Sequence, residues 1–416
     1  MKPRLTLALP ALVIALAACS SSRHKLKKDV DAPAPLPAIH ATLAVERLWS
    51  ASVGGAKPVM RLGLGLGVDA GTVYAAGYDG DLAAFSLKTG RALWHTKTKK
   101  VLLSGGTGAG AGLVVVGSAK GDVLAFKAAD GRAAWQVKVG GEVLSAPAVS
   151  EKVVVVRTVD GRLHALSTAD GKELWREEQQ IPRLTLRGTA SPLIVGDAVY
   201  CGFDNGKVLA LSLADGTKLW EATVSSPRGR TELERMVDVD SMVHVSGEDV
   251  FAVGFQGRAA MLARDSGQVW WSHEVSSYRG LDVDENGVVI ATSGGQLLML
   301  NRRNGIELWH NDSLARRRLS TPVLVGNYVA VVDLDGIVHW FDSRTGEALA
   351  RSKAGDAVSS APLSIDGVLV VLTDKGHIAA FRPGEHGLSP AASDAPAPAP
   401  AAAAHARAPL QDPPKP

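Results

Sequence analysis

One phrase, copied around the chain, constrains the fold more than any other feature. GDVLAFKAADGRAAW at 121–135, GRLHALSTADGKELW at 161–175 and GKVLALSLADGTKLW at 206–220 share a Gly turn, a short apolar strand, a second Gly turn and a Trp. The opening glycines are Gly80, Gly121, Gly161, Gly206, Gly257, Gly295, Gly336 and Gly376, separated by 38 to 51 residues. A period near 40 with a turn about every ten residues means four short strands per unit. In the third copy these are SAPAVS, VVVVRT, LHALST and ELWREE. The second is read as apolar and buried on both faces. No helical period is sustained, so helix content should be near zero.

A four-stranded sheet that is apolar on two faces must stack on its neighbours. Eight arranged radially make an all-β, eight-bladed propeller of antiparallel blades. Trp94, Trp135, Trp175, Trp220, Trp271 and Trp309 each follow a turn Gly by four residues and are read as wedges between blades. The seventh copy breaks this rule with Ala350, so either that junction packs less tightly or Trp340 compensates.

The last copy, GHIAAFRPGEHG, runs out of strand at Pro383-Gly384 and has no Trp ending. The segment ERLWSASV, 46–53, has the ending and no beginning. Residues 46–53 should therefore be the outer strand of the eighth blade, closing the ring by pairing between distant ends.

The ends of the chain read differently. MKPR and the apolar run LTLALPALVIALA, too short to span a bilayer, form a signal peptide over 1–18. Leu16-Ala17-Ala18-Cys19 resembles the bacterial lipobox, which implies acylation of Cys19. Stable anchoring takes two or more chains. Ser20 stands where enterobacterial-type lipoproteins retained at the inner membrane carry Asp, which points to the outer membrane. Residues 19–42 are then lipidated Cys and flexible tether. The propeller spans 43–383. The Pro/Ala-rich stretch 384–416 cannot offset its ordering entropy and is expected to be disordered.

With Cys19 acylated, Cys201 has no partner for a disulfide and reads as a buried small residue in AVYCGF. A net charge of +3 over 416 residues favours no nucleic-acid partner. GGTGAGAG at 105–112 is followed by a strand, LVVVGS, so no helix N-terminus awaits a phosphate. Like GLGLG at 63–67, it falls where inner strands crowd the axis. DVDENG at 282–287 lacks the closing Glu of a calcium loop and reads as a turn. The histidines show no zinc spacing. No catalytic residue, metal site or cofactor is assigned.

Function should lie where the repeat is stretched. Loops from one blade's outer strand to the next blade's inner strand share one face. From Trp to the following inner-strand marker takes 12 residues after Trp135 and 13 after Trp309, but 17 after Trp175 and 22 after Trp220. The two enlarged neighbours are REEQQIPRLTLRGTASP and SSPRGRTELERMVDVDSM. Leu184 and Leu186 beside Arg187, with Arg235, Asp238 and Asp240 on the second loop, look like a protein-docking patch: apolar anchors with orienting charges. The competing reading has the leucines beneath the loops and the charges paired with one another.

The lipobox, the quinoprotein-like repeats, PRLTLRG…SP and TELERMVDVD together resemble the BamB family, propeller lipoproteins of the outer-membrane β-barrel assembly machinery. The resemblance covers the chain except its Pro/Ala tail. It implies a non-enzymatic scaffold, lipid-anchored at the outer membrane and facing the periplasm. Its partner would be the POTRA domains of the BamA subunit, and it would assist insertion of outer-membrane proteins. By motif match, the resemblance implies that Leu184, Leu186, Arg187, Asp238 and Asp240 would contact that subunit; Arg235 is added on charge and position. An unfolded client could add to an exposed outer strand. The alternative is a periplasmic dehydrogenase using pyrroloquinoline quinone, which shares the repeat; this chain lacks the vicinal Cys-Cys pair those enzymes place over the cofactor.

Overall fold

The structure is a computed structural model and describes residues 32–54, 63–186 and 188–384. Within them the chain forms eight four-stranded antiparallel sheets and no helix. The blades are numbered by their inner strands: Gly67–Asp69, Gly108–Gly110, Ala148–Val149, Leu193–Val195, His244–Ser246, Leu281–Val283, Val323–Val325 and Leu363–Ile365. Blade 3 shows the pattern, with Val153–Arg157, Arg162–Ser167 and Glu173–Glu178 following in order outward. The middle two strands are buried because both faces meet a neighbouring blade; the outer strand is half exposed.

Eight apolar clusters form, one at each junction between successive blades, including blade 8 with blade 1. The ring is therefore closed. Its last blade has the order Val45–Ser52, His377–Pro383, Val368–Leu372, Leu363–Ile365 from rim to axis. Trp49 stands opposite Ala380, and Ala380 opposite Val370. The N-terminal strand completes the blade as its orphaned Trp ending required.

Each wedge Trp reaches forward. Trp49 Nε1 donates to the Leu87 carbonyl at 2.7 Å, and Trp94 Nε1 to that of Ala128 at 2.8 Å. The rings lie on the next blade's turn glycine: a Cβ at Gly90 would stand 2.5 Å from Trp49 Cδ2. Gly90 also has φ 68°, so the turn and the packing both exclude a side chain. The repeat's Gly and Trp are thus two halves of one contact, on adjacent blades.

The Ala350 junction has a structural answer. Blade 8 has no turn between its third and fourth strands, because the chain's two ends meet there, so no turn glycine awaits a Trp. Leu43 enters the space instead and is buried with Leu349, Ala350 and Trp340. Trp340 is wholly buried, so compensation rather than loose packing is observed.

The glycine-rich inner segments pack as close approach demands. Gly108 lies against the Pro147 carbonyl, and a Cβ on Gly106 would meet Gly65 N at 2.7 Å. DVDENG runs from the end of an inner strand into a turn, where Asp284 Oδ1 accepts from Asn286 N and Gly287 N at 2.8 and 3.0 Å. Cys201 is buried, and burial pushes its thiol up to about 11. Residues 32–42, expected as tether, lie against blades 6 and 7. Cys19, the signal segment and the tail from 385 lie outside the described residues.

Candidate partner-docking face

The two enlarged loops run between Glu173–Glu178 and Leu193–Val195, and between Lys218–Thr223 and His244–Ser246. Both leave an outer strand, so both lie on the interblade-loop face, over blades 3, 4 and 5.

The second loop is pinned along its length. Val237, Val239 and Val243 are buried, and Val239 N donates to the Phe203 carbonyl at 3.2 Å. Phe255 N donates to the Asp238 carbonyl at 2.7 Å. Before this comes one helical turn closed by a capping box. Glu234 Oε2 accepts from Arg230 N and Thr231 N at 2.8 and 3.0 Å, and Thr231 Oγ1 accepts from Glu234 N at 3.2 Å. The turn holds Leu233, 65% exposed, and an exposed Arg235 outward.

Beneath the loops lies a buried charge cluster. Arg157, from the second strand of blade 3, is completely buried. Its Nη1 donates to the Gly202 carbonyl at 2.7 Å, its Nη2 to Asp204 Oδ1 at 2.9 Å, and its guanidinium lies 4.7 Å from the Phe203 ring centre. Carboxylate oxygens of Asp204, Asp238 and Asp240 lie within 4.8 Å of one another. Leu186 N donates to Asp238 Oδ2 at 3.4 Å, tying the first loop to the second. The Asp240 carboxylate packs on Gly188, where a Cβ would stand 2.4 Å from its Oδ2.

This corrects one expectation. Asp238 is 0% exposed and presents no charge at the surface. Burial raises its pKa strongly, and the nearby Asp240 and Asp204 charges raise it further; Asp240 is raised less, again chiefly by burial. In both, burial disfavours the charged carboxylate, more strongly at Asp238. The spacing of the trio would admit a cation. The Arg157 guanidinium offsets part of its charge through Asp204, and the bond from Leu186 N to Asp238 Oδ2 makes the cluster a tie between the loops.

The leucines behave differently. Leu184 is 38% exposed and Leu186 half-buried. Arg187 lies outside the described residues. Leu233 and Met242, exposed on the second loop, were missed by the sequence reading, although an apolar residue in the polar run RTELER was a visible signal. Arg157 was missed too: a charged residue ending the apolar strand VVVVRT needs a buried partner.

The fold and this face define a class: an eight-bladed propeller of the quinoprotein-like repeat type, whose elaboration is a pair of braced loops on one face. The family model for "Outer membrane protein assembly factor BamB" matches residues 78–311 and 293–387. The BamB of Pseudomonas aeruginosa is 38% identical over 375 residues, covering 90% of this chain and 97% of that protein. That of Burkholderia pseudomallei is 35% identical over 378 residues, with the same coverage. The chain belongs to the BamB family of outer membrane protein assembly factors. Among solved structures, BamB from Moraxella catarrhalis matches with TM-score 0.75 at 24% identity, over 82% of this chain and all of that one. Quinohemoprotein alcohol dehydrogenase from Comamonas testosteroni matches with TM-score 0.64 at 14% identity over 81% of this chain and 76% of its own, a likeness of fold alone.

Proposed function

We propose that this protein is a non-enzymatic scaffold lipoprotein of the outer-membrane β-barrel assembly machinery. It sits at the outer membrane through acylated Cys19, faces the periplasm, and docks the POTRA domains of the BamA subunit with its enlarged loops. The observation that supports this best is the bracing of the loops. Two segments about 50 residues apart are tied through Leu186 and Asp238 over a buried Arg157–Asp204 pair. Bracing of this kind lowers the ordering cost of binding. Leu184, Leu186 and Leu233 supply apolar contact, and Arg187 and Arg235 supply orienting charge. Asp238 and Asp240 act by positioning the loops.

Co-purification from solubilised outer membranes tests this. Leu184→Ala and Arg235→Ala should each reduce recovery of the barrel-assembly subunit several-fold with an unchanged melting temperature. Full recovery with both, or a loss that tracks a lowered melting temperature, would refute a docking role for this face.

A further inference from the structure

The outer strand of blade 8 starts on the wrong face for its anchor. Val45 stands opposite Pro383 and Ser52 opposite His377. The strand ends beside Gly376, where Val53 N donates to the Gly376 carbonyl at 3.0 Å, on the interblade-loop face. Val45 thus begins at the opposite face, and a chain entering there directly would place its anchor away from the loops.

The preceding residues undo this. Thr42 N donates to the Leu349 carbonyl at 2.9 Å, near the start of the outer strand of blade 7, Ala348–Lys353. From there back toward its beginning the chain climbs the side wall. Leu36 packs on the cluster between blades 6 and 7. Ala34 N donates to the Ala315 carbonyl at 3.0 Å, Arg317 Nη1 to that of Ala34 at 3.0 Å, and Arg316 Nε to that of Ala32 at 2.8 Å. Residues 315–317 belong to the interblade loop after blade 6, on the face that carries the enlarged loops. Arg317 is itself fixed by Asp333, at 2.8 Å, and by Asp335.

We propose that this strap reverses the exit of the N-terminal tether, so that the anchored protein turns its interblade-loop face, at the corner of blades 6 and 7, toward the bilayer. Thirteen residues separate Cys19 from Ala32, a reach of about 45 Å at most. Twenty-six separate Cys19 from Val45, a reach of about 90 Å. A six-residue strand rises about 20 Å, so docking the strap halves the reach and makes one face the near face. Arg316 and Arg318, both exposed, put positive charge at that corner, the sign that suits anionic headgroups. The proposal rests on Cys19 as anchor and is independent of which protein the loops bind.

The test uses the full-length acylated protein in phosphatidylethanolamine/phosphatidylglycerol vesicles carrying a headgroup acceptor dye. A donor is placed at Asp79→Cys, on the loop face of blade 1, or at Lys88→Cys, on the opposite face of the same blade; native Cys201 is buried and does not label. Mass spectrometry of the same samples confirms acylation, so a failed anchor is recognised separately. Energy transfer should be markedly stronger from position 79. Leu36→Asp with Arg316→Ala, which frees the strap, should erase the difference, and hydrogen exchange at the Ala34 amide reports its release. If the double variant fails to fold, Leu36→Asp alone is read. Equal transfer from both positions in the intact protein, stronger transfer from 88, or a bias that survives strap release overturns the proposal.

Discussion

Replacing Trp49 by Ala tests ring closure at the one seam with no covalent continuity. Trp49 is almost fully buried among Val53, Val73, Phe85 and Val370, and its indole donates to the Leu87 carbonyl. Burying an indole removes ~150–250 Å² from water. At ~25 cal/mol/Å² this gives roughly 4–6 kcal/mol as an upper bound. Trp→Ala costs in cores of about 3–5 kcal/mol agree. We expect a loss of about 4 kcal/mol, with a melting temperature lower by roughly 8 °C for a domain of this size. Trp49→Phe, which keeps most area and loses the hydrogen bond, should cost about 1–2 kcal/mol.

The seam adds a signature that stability alone lacks. Arg47 lies inside the closing strand, three residues into its pairing with His377–Pro383. Trypsin cleavage after Arg47 should accelerate in Trp49→Ala. It should not in Trp220→Ala, whose indole makes the same kind of contact, to the Arg264 carbonyl at 2.8 Å, between blades joined by continuous chain. A fall under about 2 °C for Trp49→Ala, or equal proteolysis after Arg47 in both variants, would refute the argument that this strand holds the ring shut.

Further outcomes follow from other contacts. Ala350→Trp restores the repeat but collides with Leu43, and should destabilise by about 1–3 kcal/mol in thermal melts. Asp238 has a folded pKa raised above its unfolded value, so its contribution is full below about pH 4 and declines as pH rises. Asp238→Asn, permanently neutral, should therefore melt with a flatter pH dependence between pH 5 and 9 and exceed the native protein at pH 9; a steeper dependence would contradict the argument that burial disfavours its charge. Incubation with pyrroloquinoline quinone and Ca²⁺ should leave the purified protein without quinone absorbance or dye-linked alcohol oxidation; either signal would favour the dehydrogenase reading.

The number of blades, their four-strand order, the wedge Trps and the closing strand were all legible in the residues. Each depends on a short phrase repeated at a fixed phase, and a repeat that begins without its start and ends without its finish states its own closure. The enlarged loops were legible by counting, because length is a local property. Where their side chains went was not. Asp238 and Asp240 read as surface charges, since nothing in DVDS marks burial. Their neighbours Arg157 and Asp204 come from segments more than 30 residues away, and only the meeting of those segments removes the carboxyls from water and lifts their pKa values. Leu43 in the place of a Trp, and a strap that carries the chain back across the rim, were equally hidden. Periodicity reports which face of a strand is apolar; it carries no information about which distant segment will cover it.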